Sequence, residues 1–260
     1  MRSVLRGLRS RGAALRFRVW ALRLDARLRR NGSRLILDCP SGGRFVTPPI
    51  VELPLLGGGA GSLTLRLAPG ASLGRGLILE VWAGGQSVLD LGHDTWLGAG
   101  CRVQLQGGRV RIGDRAQVRD GCLLKARGEL TVGDRTIVSR GAIVHADERV
   151  SIGAFVGVGE RVSVIDSDHA HDGSDTPFWE QELRTGPIEI ERNVSIGANC
   201  VILRGTTIGC NSVVGAGAVL TGDEYPAGWL IAGVPARPLH PLAAGPAGAS
   251  GRAAAAGEGL

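Results

Sequence analysis

The chain has 260 residues, of which 43% are hydrophobic, 42 are glycine and only 4% are aromatic. This composition is typical of a soluble globular protein with many tight turns, and it excludes a largely disordered chain. The net charge is +6, but residues 1–30 hold ten Arg and one acid, so they carry +9 and the rest of the chain carries −3. A mildly acidic body excludes a general nucleic-acid-binding surface there, and no nucleic-acid partner is predicted.

Residues 1–32 are predicted to form a basic amphipathic helical arm. Arginines interrupt its apolar runs, so the arm contains neither a membrane span nor the apolar region of a signal peptide. Such a helix packs on the body or on a neighbouring subunit, or it makes a peripheral contact with an anionic membrane through residues 1–30. An organellar transit peptide is a third interpretation. One helical face is apolar, and it comprises Leu8, Leu15, Val19 and Leu22.

Residues 33–70 contain short β-like runs between Gly and Pro, which predicts a short irregular β segment. At the other end, residues 240–260 are predicted to be a disordered tail rich in Ala, Gly and Pro. The five cysteines include no C-x-x-C pair, and their spacing fits neither a disulfide framework nor a zinc cage. We therefore expect reduced cysteines and a cytoplasmic protein, with the arm allowing a position at the cytoplasmic membrane face.

Within residues 71–239 an aliphatic residue returns at every sixth position, most clearly from Ile190 to Leu220. Neither a helix, with a period of about 3.6, nor a two-faced strand, with a period of about 2, produces this spacing. The pattern predicts a three-sided coil whose sides are short strands, each with one large aliphatic side chain directed at the axis. Small residues beside the aliphatics allow the corners, and successive coils stack by parallel strand pairing.

Six coils follow from this spacing. Extra residues between coils accumulate at one vertex of the triangle, and the longest excursion is a protruding loop over residues 166–188. Two histidines and four aspartates crowd into its beginning, VIDSDHAHDGSD. The predicted inward triplets are Leu91/Leu97/Val103, Ile112/Val118/Leu124, Val132/Val138/Val144, Ile152/Val158/Val164, Ile190/Ile196/Ile202 and Ile208/Val214/Leu220.

Four stretches carry a resemblance to a known family: DHAH (168–171), PIEI (187–190), the run NVSIGANCVILRGTTIGCNSVVGAGAVLTGD (193–223) and AGVPARPL (232–239). They resemble the hexapeptide-repeat acyltransferases, particularly the galactoside, maltose and nodulation-factor O-acetyltransferases, over about residues 85–239. The resemblance implies an all-β fold, a left-handed parallel β-helix. It also implies a homotrimer with active sites between subunits, and acetyl-coenzyme A as acyl donor.

The resemblance also implies a catalytic base. The family places its catalytic histidine five residues after the inward aliphatic that precedes the protruding loop, and here Val164 leads to His169. Its imidazole would take the proton of a sugar or glycan-precursor hydroxyl during direct acetyl transfer, without a covalent enzyme intermediate. Asp166 or Asp168 would orient the ring, and the sequence leaves the choice open. Predicted acceptor contacts are His171, His145 one coil earlier at the same vertex, and a lid formed by Phe178 and Trp179.

Coenzyme A would lie along the coils after the loop. A backbone N–H near Ala198 would meet the oxyanion, and Arg204 and Arg237 would bind phosphates. Two positions depart from the family. Where this chain has Ser195 the family commonly has Trp, and the change removes an aromatic surface on the acceptor side. Where this chain has Gly222 the family commonly has Lys, and the change weakens the expected binding of the coenzyme A phosphates. The remaining predicted contacts are Gly215, Ala216, Gly217, Ala218 and Thr221.

Two other functions compete with acetyl transfer. A zinc enzyme similar to the gamma carbonic anhydrases would use His145, His169 and His171 across a subunit boundary. That interpretation leaves AGVPARPL unexplained, and we expect no metal. The second alternative is a non-catalytic β-helix scaffold.

Overall fold

The computed structural model describes residues 2–39, 44–45, 47–53, 60–82 and 84–243. Of these, residues 2–14 and 44–45 are described by their backbone alone. The predicted disordered tail, residues 240–260, falls largely outside the described residues, and its first two residues belong instead to a strand that ends at Pro241.

The chain begins with one long helix and continues as short strands. Helix α1 spans Arg2–Arg30. The first four coils comprise β1 (Arg34–Asp38), β2 (Arg44–Phe45), β3 (Ile50–Glu52), β4 (Ser62–Leu67), β5 (Ser72–Leu73), β6 (Ile78–Val81), β7 (Gln86–Leu91), β8 (Trp96–Leu97), β9 (Arg102–Leu105), β10 (Arg109–Ile112), β11 (Gln117–Val118) and β12 (Leu123–Ala126). The next two comprise β13 (Glu129–Val132), β14 (Ile137–Val138), β15 (Ile143–Ala146), β16 (Arg149–Ile152), β17 (Gly157–Val158) and β18 (Ser163–Ile165).

An excursion interrupts the coils after β18. It contains β19 (Ser167–His169), a 3-10 helix (Phe178–Glu180) and β20 (Leu183–Thr185). The coils then resume with β21 (Ile188–Ile190), β22 (Ser195–Ile196), β23 (Val201–Leu203), β24 (Thr207–Ile208), β25 (Val213–Val214), β26 (Val219–Leu220), β27 (Glu224–Tyr225), β28 (Trp229–Gly233) and β29 (Ala236–Pro241).

Three stacked sheets form the sides of a triangular prism. Sheet A holds nine strands from β1 to β27, sheet B ten from β2 to β29, and sheet C eight from β3 to β26. Strands pair in parallel with those one coil away, so that Val110 of β10 lies between Leu89 and Leu130. The one antiparallel pair within these described sheets is β28–β29, which contains AGVPARPL. The chain turns at an A–B corner, a B–C corner and a C–A corner in every coil.

The core lies along the axis of the prism. All eighteen residues of the predicted inward triplets are buried, with at most 3% of their surface exposed. Burying a side chain of this size contributes about 1.5–3 kcal/mol, so the repeated layers supply much of the driving force for folding. The structure therefore confirms the predicted parallel β-helix.

The β-helix begins earlier than the sequence suggested. Residues 33–70 are predicted to be a separate irregular segment, but β1 to β4 lie within the same three sheets as the later coils. Leu67, Leu73 and Leu79 even keep the six-residue spacing, with 3%, 4% and 2% exposure. The sixth position between Leu79 and Leu91 holds Gly85 instead of an aliphatic residue, so the aliphatic repeat lapses there although the step of twelve residues keeps its phase.

Helix α1 covers the first-coil end of the prism. Phe17, Ala21, Leu24 and Leu28 are buried there, and the helix contacts β1 and β2. The Asp25 carboxylate accepts a hydrogen bond from the Leu35 N–H at 3.3 Å. The helix thus shields the open end of the core from water and from pairing with other strands. Within the described part of the chain, no helix has the length and apolarity needed to cross a membrane.

Candidate active site

The excursion between β18 and β21 is an ordered β-hairpin, which we call the hairpin arm (residues 166–187). Strands β19 and β20 pair antiparallel, with His169 opposite Leu183. Beside them, the Ala170 N–H donates to the Glu182 carbonyl at 2.8 Å, and the Gly186 N–H donates to the Asp166 carbonyl at 2.9 Å. His169 is therefore held on a strand rather than on an irregular loop.

His169 lies half-buried in an aromatic cluster. Its ring meets the edge of Phe178 at a centroid distance of 5.5 Å, and Phe178 also stacks on His171 at 6.2 Å and contacts Trp179 at 5.3 Å. Phe178 and Trp179 remain 50% and 65% exposed. The structure thus brings the predicted base together with three of the predicted acceptor contacts.

The Nδ1 atom of His169 is buried and has no hydrogen-bond partner among the described residues. A buried polar atom without a partner costs free energy, so folded proteins keep such atoms mainly where they serve a function or bind another molecule. This corner of a single chain therefore has the character of a site that another molecule completes.

Asp166 serves the backbone rather than His169. It is fully buried, and its carboxylate accepts hydrogen bonds from the N–H groups of Asp147, Glu148 and Arg149, each at 2.8 Å. Both carboxylate oxygens are thus engaged in the turn of the preceding coil. Such a charge-assisted network stabilises the C–A corner one coil before the hairpin arm and ties the arm to it.

Asp168 and Arg204 pair with one another. The Nε atom of Arg204 lies 2.8 Å from Oδ1 of Asp168, and the two side chains are 38% and 57% exposed. One of the two residues predicted to orient His169 and one of the two predicted to bind phosphate are therefore partners in this chain. No hydrogen bond joins His169 to either Asp166 or Asp168 in the residues that the structure describes.

A polar cluster on the outer face of sheet C lies one coil before the hairpin arm. Asp147 is 3% exposed, and Lys125 Nζ lies 3.2 Å from its Oδ1. The Ser167 hydroxyl donates to Asp147 Oδ2 at 2.6 Å, which ties β19 to the preceding coil. Burial pushes the pKa of Asp147 up, but the Ser167 hydrogen bond and the Lys125 charge outweigh it and hold the pKa below its usual value.

His145 borders this cluster, between Lys125 and Ile165 in the register of sheet C. Its Nε2 is buried without a partner in the described residues. Burial is the main cause that lowers the pKa of His145; the nearby Lys125 charge adds to the effect, and Asp147 and Asp166 oppose it. Sequence reasoning missed Lys125, Asp147 and Ser167, because only the strand register makes them neighbours.

The predicted coenzyme A contacts divide between two corners. Ala198 follows β22, and residues 215–218 follow β25, so both lie at the B–C corner. The hairpin arm, Arg204 and Thr221 lie at the C–A corner. Within one chain the structure therefore separates the predicted oxyanion donor from the predicted base by the width of sheet C.

The B–C corner after β25 is built from small residues packed closely on the previous coil. A Cβ on Gly197 would come within 2.5 Å of the Ala216 nitrogen. The N–H groups of Gly215, Gly217 and Ala218 donate to carbonyls of the chain itself. Ala216 and Gly217 are exposed and Ala218 is buried, so the accessible surface at this corner is that of Ala216 and Gly217.

The backbone explains one departure from the family. Gly222 has φ +90°, and a Cβ there would lie 2.9 Å from the Arg204 carbonyl oxygen, so a lysine would be strained. Thr221 beside it is exposed.

Arg237 on β29 lies 3.5 Å from Asp223, with 62% and 57% of the side chains exposed. Such an exposed pair is weak, so Arg237 stays accessible to an anion. Ser195, the other departure, is exposed on sheet B.

Two further features concern metals and thiols. Among the described residues, no three His, Cys, Asp or Glu side chains are grouped so that they could hold a metal ion. All five cysteines are free, and Cys101, Cys122 and Cys200 are buried.

Comparisons with known proteins find similarity to a hexapeptide-repeat model and to acetyltransferases. Residues 187–222 match the family model described as the hexapeptide repeat of succinyl-transferase. A probable acetyltransferase of Mycobacterium tuberculosis is 32% identical over 121 residues, which are 46% of this chain and 39% of that protein. The 2,3,4,5-tetrahydropyridine-2,6-dicarboxylate N-acetyltransferase of Staphylococcus aureus is 51% identical over 51 residues, which are 20% of this chain and 21% of that protein.

Among solved structures, the comparison finds a hexapeptide-repeat-containing acetyltransferase of Vibrio cholerae complexed with acetyl coenzyme A. It is 26% identical, and the match covers 58% of this chain and 69% of that chain, with a TM-score of 0.40. The matched segment spans about two fifths of the first curated relative's length and about a fifth of the second's.

Proposed function

We propose, from the match of residues 187–222 to a hexapeptide-repeat family model, that the protein transfers an acetyl group from acetyl-coenzyme A to a hydroxyl of a sugar or glycan precursor. One observation carries the proposal: a half-buried histidine with an unpartnered Nδ1 on an ordered hairpin arm, beside exposed aromatic rings. The relative described as a probable acetyltransferase supports the reaction class. The acceptor class rests on the sequence motifs DHAH and AGVPARPL.

His169 acts as the general base in this proposal. Its imidazole accepts the proton of the acceptor hydroxyl as the hydroxyl oxygen attacks the thioester carbonyl. When the carbon–sulfur bond breaks, the imidazolium returns the proton to the leaving thiolate. An imidazole suits this exchange because it ordinarily titrates near neutral pH, and such catalysis contributes about 100-fold to 10,000-fold in rate.

A neighbouring copy of the chain completes the site. His169 and Ala198 lie at different corners of one prism, so a site that uses both needs two copies, as in a homotrimer. The Ala198 N–H of the second copy would meet the oxyanion, while its surface at Ala216 and Gly217 would receive the pantetheine. Arg237 would bind a phosphate. The unpartnered Nδ1 of His169 is consistent with an incomplete site in one chain.

The test is release of the coenzyme A thiol. Purified full-length protein is mixed with acetyl-coenzyme A and a panel of sugars, and the free thiol is followed by its reaction with a disulfide reagent. We expect His169→Ala to lower kcat by about 100-fold or more. His93→Ala is the matched control, because His93 is an exposed histidine at the A–B corner, and it should retain the wild-type rate. A His169→Ala rate within threefold of wild type would refute the assignment.

An amine acceptor is the second candidate. It is favoured by the 51% identity, over 51 residues, to an N-acetyltransferase. Aminosugars and their N-blocked forms, added to the same panel, distinguish the two acceptors. Activity that persists on the blocked forms indicates a hydroxyl acceptor, whereas activity confined to the free amines supports N-acetylation and overturns the O-acetyltransferase proposal.

A further inference from the structure

Helix α1 has two apolar sides, and only one of them is packed. On the packed side, Phe17, Leu24 and Leu28 join the core at the end of the prism, each with at most 3% exposure. On the other side, Leu15, Val19 and Leu22 are 63%, 39% and 72% exposed. We call these three residues the outer stripe. Apolar side chains at such exposure along one helix face are a common mark of an interaction surface.

The geometry of the helix places the outer stripe opposite the packed side. Successive residues are about 100° apart around the axis, so Leu15, Val19 and Leu22 lie roughly 140° to 200° from Phe17. Because the packed side faces the first coil, the outer stripe faces directly away from the prism. The β-helix itself therefore leaves this surface uncovered.

Arginines flank the outer stripe on both sides. On one side, Arg18 and Arg29 lie roughly 100° to 120° around the helix axis from Phe17. The arginines on the other side lie at roughly 220° to 280°; they are Arg16, Arg23, Arg27 and Arg30. Among the arginines in the described part of the helix, only Arg29 pairs with an acid, Asp25. That single acid of the helix faces the body, where it also accepts the Leu35 N–H. The exposed arginines of the described part of the helix are Arg16, Arg18, Arg23, Arg27, Arg29 and Arg30.

We propose that the outer stripe and its flanking arginines dock the protein on an anionic lipid bilayer. Leu15, Val19 and Leu22 enter the boundary between headgroups and acyl chains, and the arginines bind the headgroup phosphates. A helix with apolar residues on one side and cations beside them binds membrane surfaces in this way. The body is net negative, so charge complementarity restricts the contact to the helix.

Two other partners fit the surface less well. A nucleic acid would use the arginines, but it would leave the three apolar side chains of the stripe without a function. A second copy of the helix would bring two strongly basic surfaces together at a cost in repulsion. An anionic bilayer satisfies both the charge and the apolar side chains.

Vesicle flotation with the full-length protein tests the proposal. We expect binding to vesicles that contain a large fraction of phosphatidylglycerol and none to pure phosphatidylcholine vesicles. Arg18→Gln/Arg23→Gln should weaken binding about 25-fold, since each basic residue near an anionic surface contributes about fivefold. Leu15→Ser/Leu22→Ser, which keeps the charge, should weaken binding about tenfold or more.

The control is Arg75→Gln/Arg192→Gln, which removes two exposed charges from the body and should bind like the wild type. All variants should keep the wild-type unfolding temperature and acetyl-transfer rate with a soluble acceptor, so failure of docking is distinct from failure of the proposed function. Equal binding to neutral vesicles, equal losses in the control, no loss with the Leu variant, or preference for a DNA duplex over the vesicles would each overturn the proposal.

Discussion

Asp147 connects the strand of the candidate base to the coil before it. Its carboxylate accepts the Ser167 hydroxyl and lies beside Lys125 at 3.2 Å, in surroundings that leave only 3% of its side chain exposed. Because Ser167 lies two residues before His169, this contact fixes the start of the hairpin arm. Asp147 is thus a positioning residue for the site and a source of stability.

Replacing this carboxylate tests its contribution to stability. Asp147→Asn leaves the Lys125 ammonium without a counter-ion in a mostly buried place, and we expect a loss of about 2 kcal/mol in the free energy of unfolding in urea. Asp90→Asn is the matched control, since Asp90 and Arg66 form an exposed pair at 3.6 Å. The control should cost less than about 1 kcal/mol. Equal losses in both variants would contradict a special role for Asp147.

His145 makes stability depend on pH in a definite direction. Burial, and then the Lys125 charge, lower the pKa of His145 in the folded state, while Asp147 and Asp166 oppose the shift. The unfolded chain therefore binds a proton on this residue more readily than the folded chain does. Its contribution to stability is complete above the unfolded pKa of about 6.5 and falls as the pH drops below that value.

The measurement compares unfolding temperatures of wild type and His145→Gln from pH 7.5 to the onset of general acid unfolding. We expect the wild type to lose stability more steeply than the variant below about pH 6.5. Parallel curves for the two proteins would show that His145 does not titrate with folding in this range.

The paired strands of the hairpin arm and the 3-10 helix at its tip have different roles. Strands β19 and β20 hold His169 in place through backbone pairing. The 3-10 helix between them presents Phe178 and Trp179, which remain largely exposed. A rigid pair of strands with aromatic rings at its tip suits a lid over a sugar, because rings stack on apolar sugar faces at little entropic cost.

Removing the Trp179 ring tests whether the tip of the hairpin arm forms a lid over the acceptor. Trp179→Ala should raise KM for the acceptor about five- to tenfold and leave KM for acetyl-coenzyme A unchanged, because in the proposed site the ring would contact the acceptor and not the donor. Phe155→Ala is the control, since Phe155 is also 50% exposed but lies at the A–B corner. Unchanged acceptor affinity in the Trp179 variant would reject the lid.

At the scale of the whole molecule, the triangular cross-section places the candidate base and the predicted coenzyme A contacts at different corners of the prism. The small residues of the B–C corner and the histidine of the C–A corner are parts of one site only if copies of the chain associate. A closed ring of identical chains places one corner against the other at every interface. In the proposed homotrimer, the oligomer would determine the number of active sites as well as their composition.

Mixing two inactive variants tests whether the site is shared. His169→Ala removes the base, and Ala216→Phe blocks the exposed B–C corner. Co-assembled trimers of the two should recover about a quarter of the wild-type activity, because only interfaces that combine an intact histidine with an intact corner from a neighbour can work. Each variant alone should stay inactive. No recovery in mixed trimers of confirmed composition would place the whole site within one chain.

The sequence by itself determined the middle of the fold and, through a resemblance, suggested a candidate base. A strict six-residue period has one physical solution, a three-sided coil, so the triplets from Leu91 to Leu220 follow from spacing alone and are buried as predicted. His169 is the base that the resemblance to the hexapeptide-repeat acyltransferases implies, five residues after Val164. Strands β1 to β4, before residue 71, were missed as part of the β-helix, because the aliphatic repeat lapses at Gly85 before its clear part begins.

Only the tertiary structure decided the partners of the charged groups. Each charged group of the site binds a partner that is seventeen or more residues away in the sequence, and stacking of the coils brings the two together. These groups are Asp166, Asp168, Arg204, Asp147 and Lys125. Hydrogen bonds depend on distances of about 3 Å, which a sequence fixes only after strand register is known. For the same reason, the structure rather than the helical pattern shows which apolar side of α1 the body covers and which it leaves exposed.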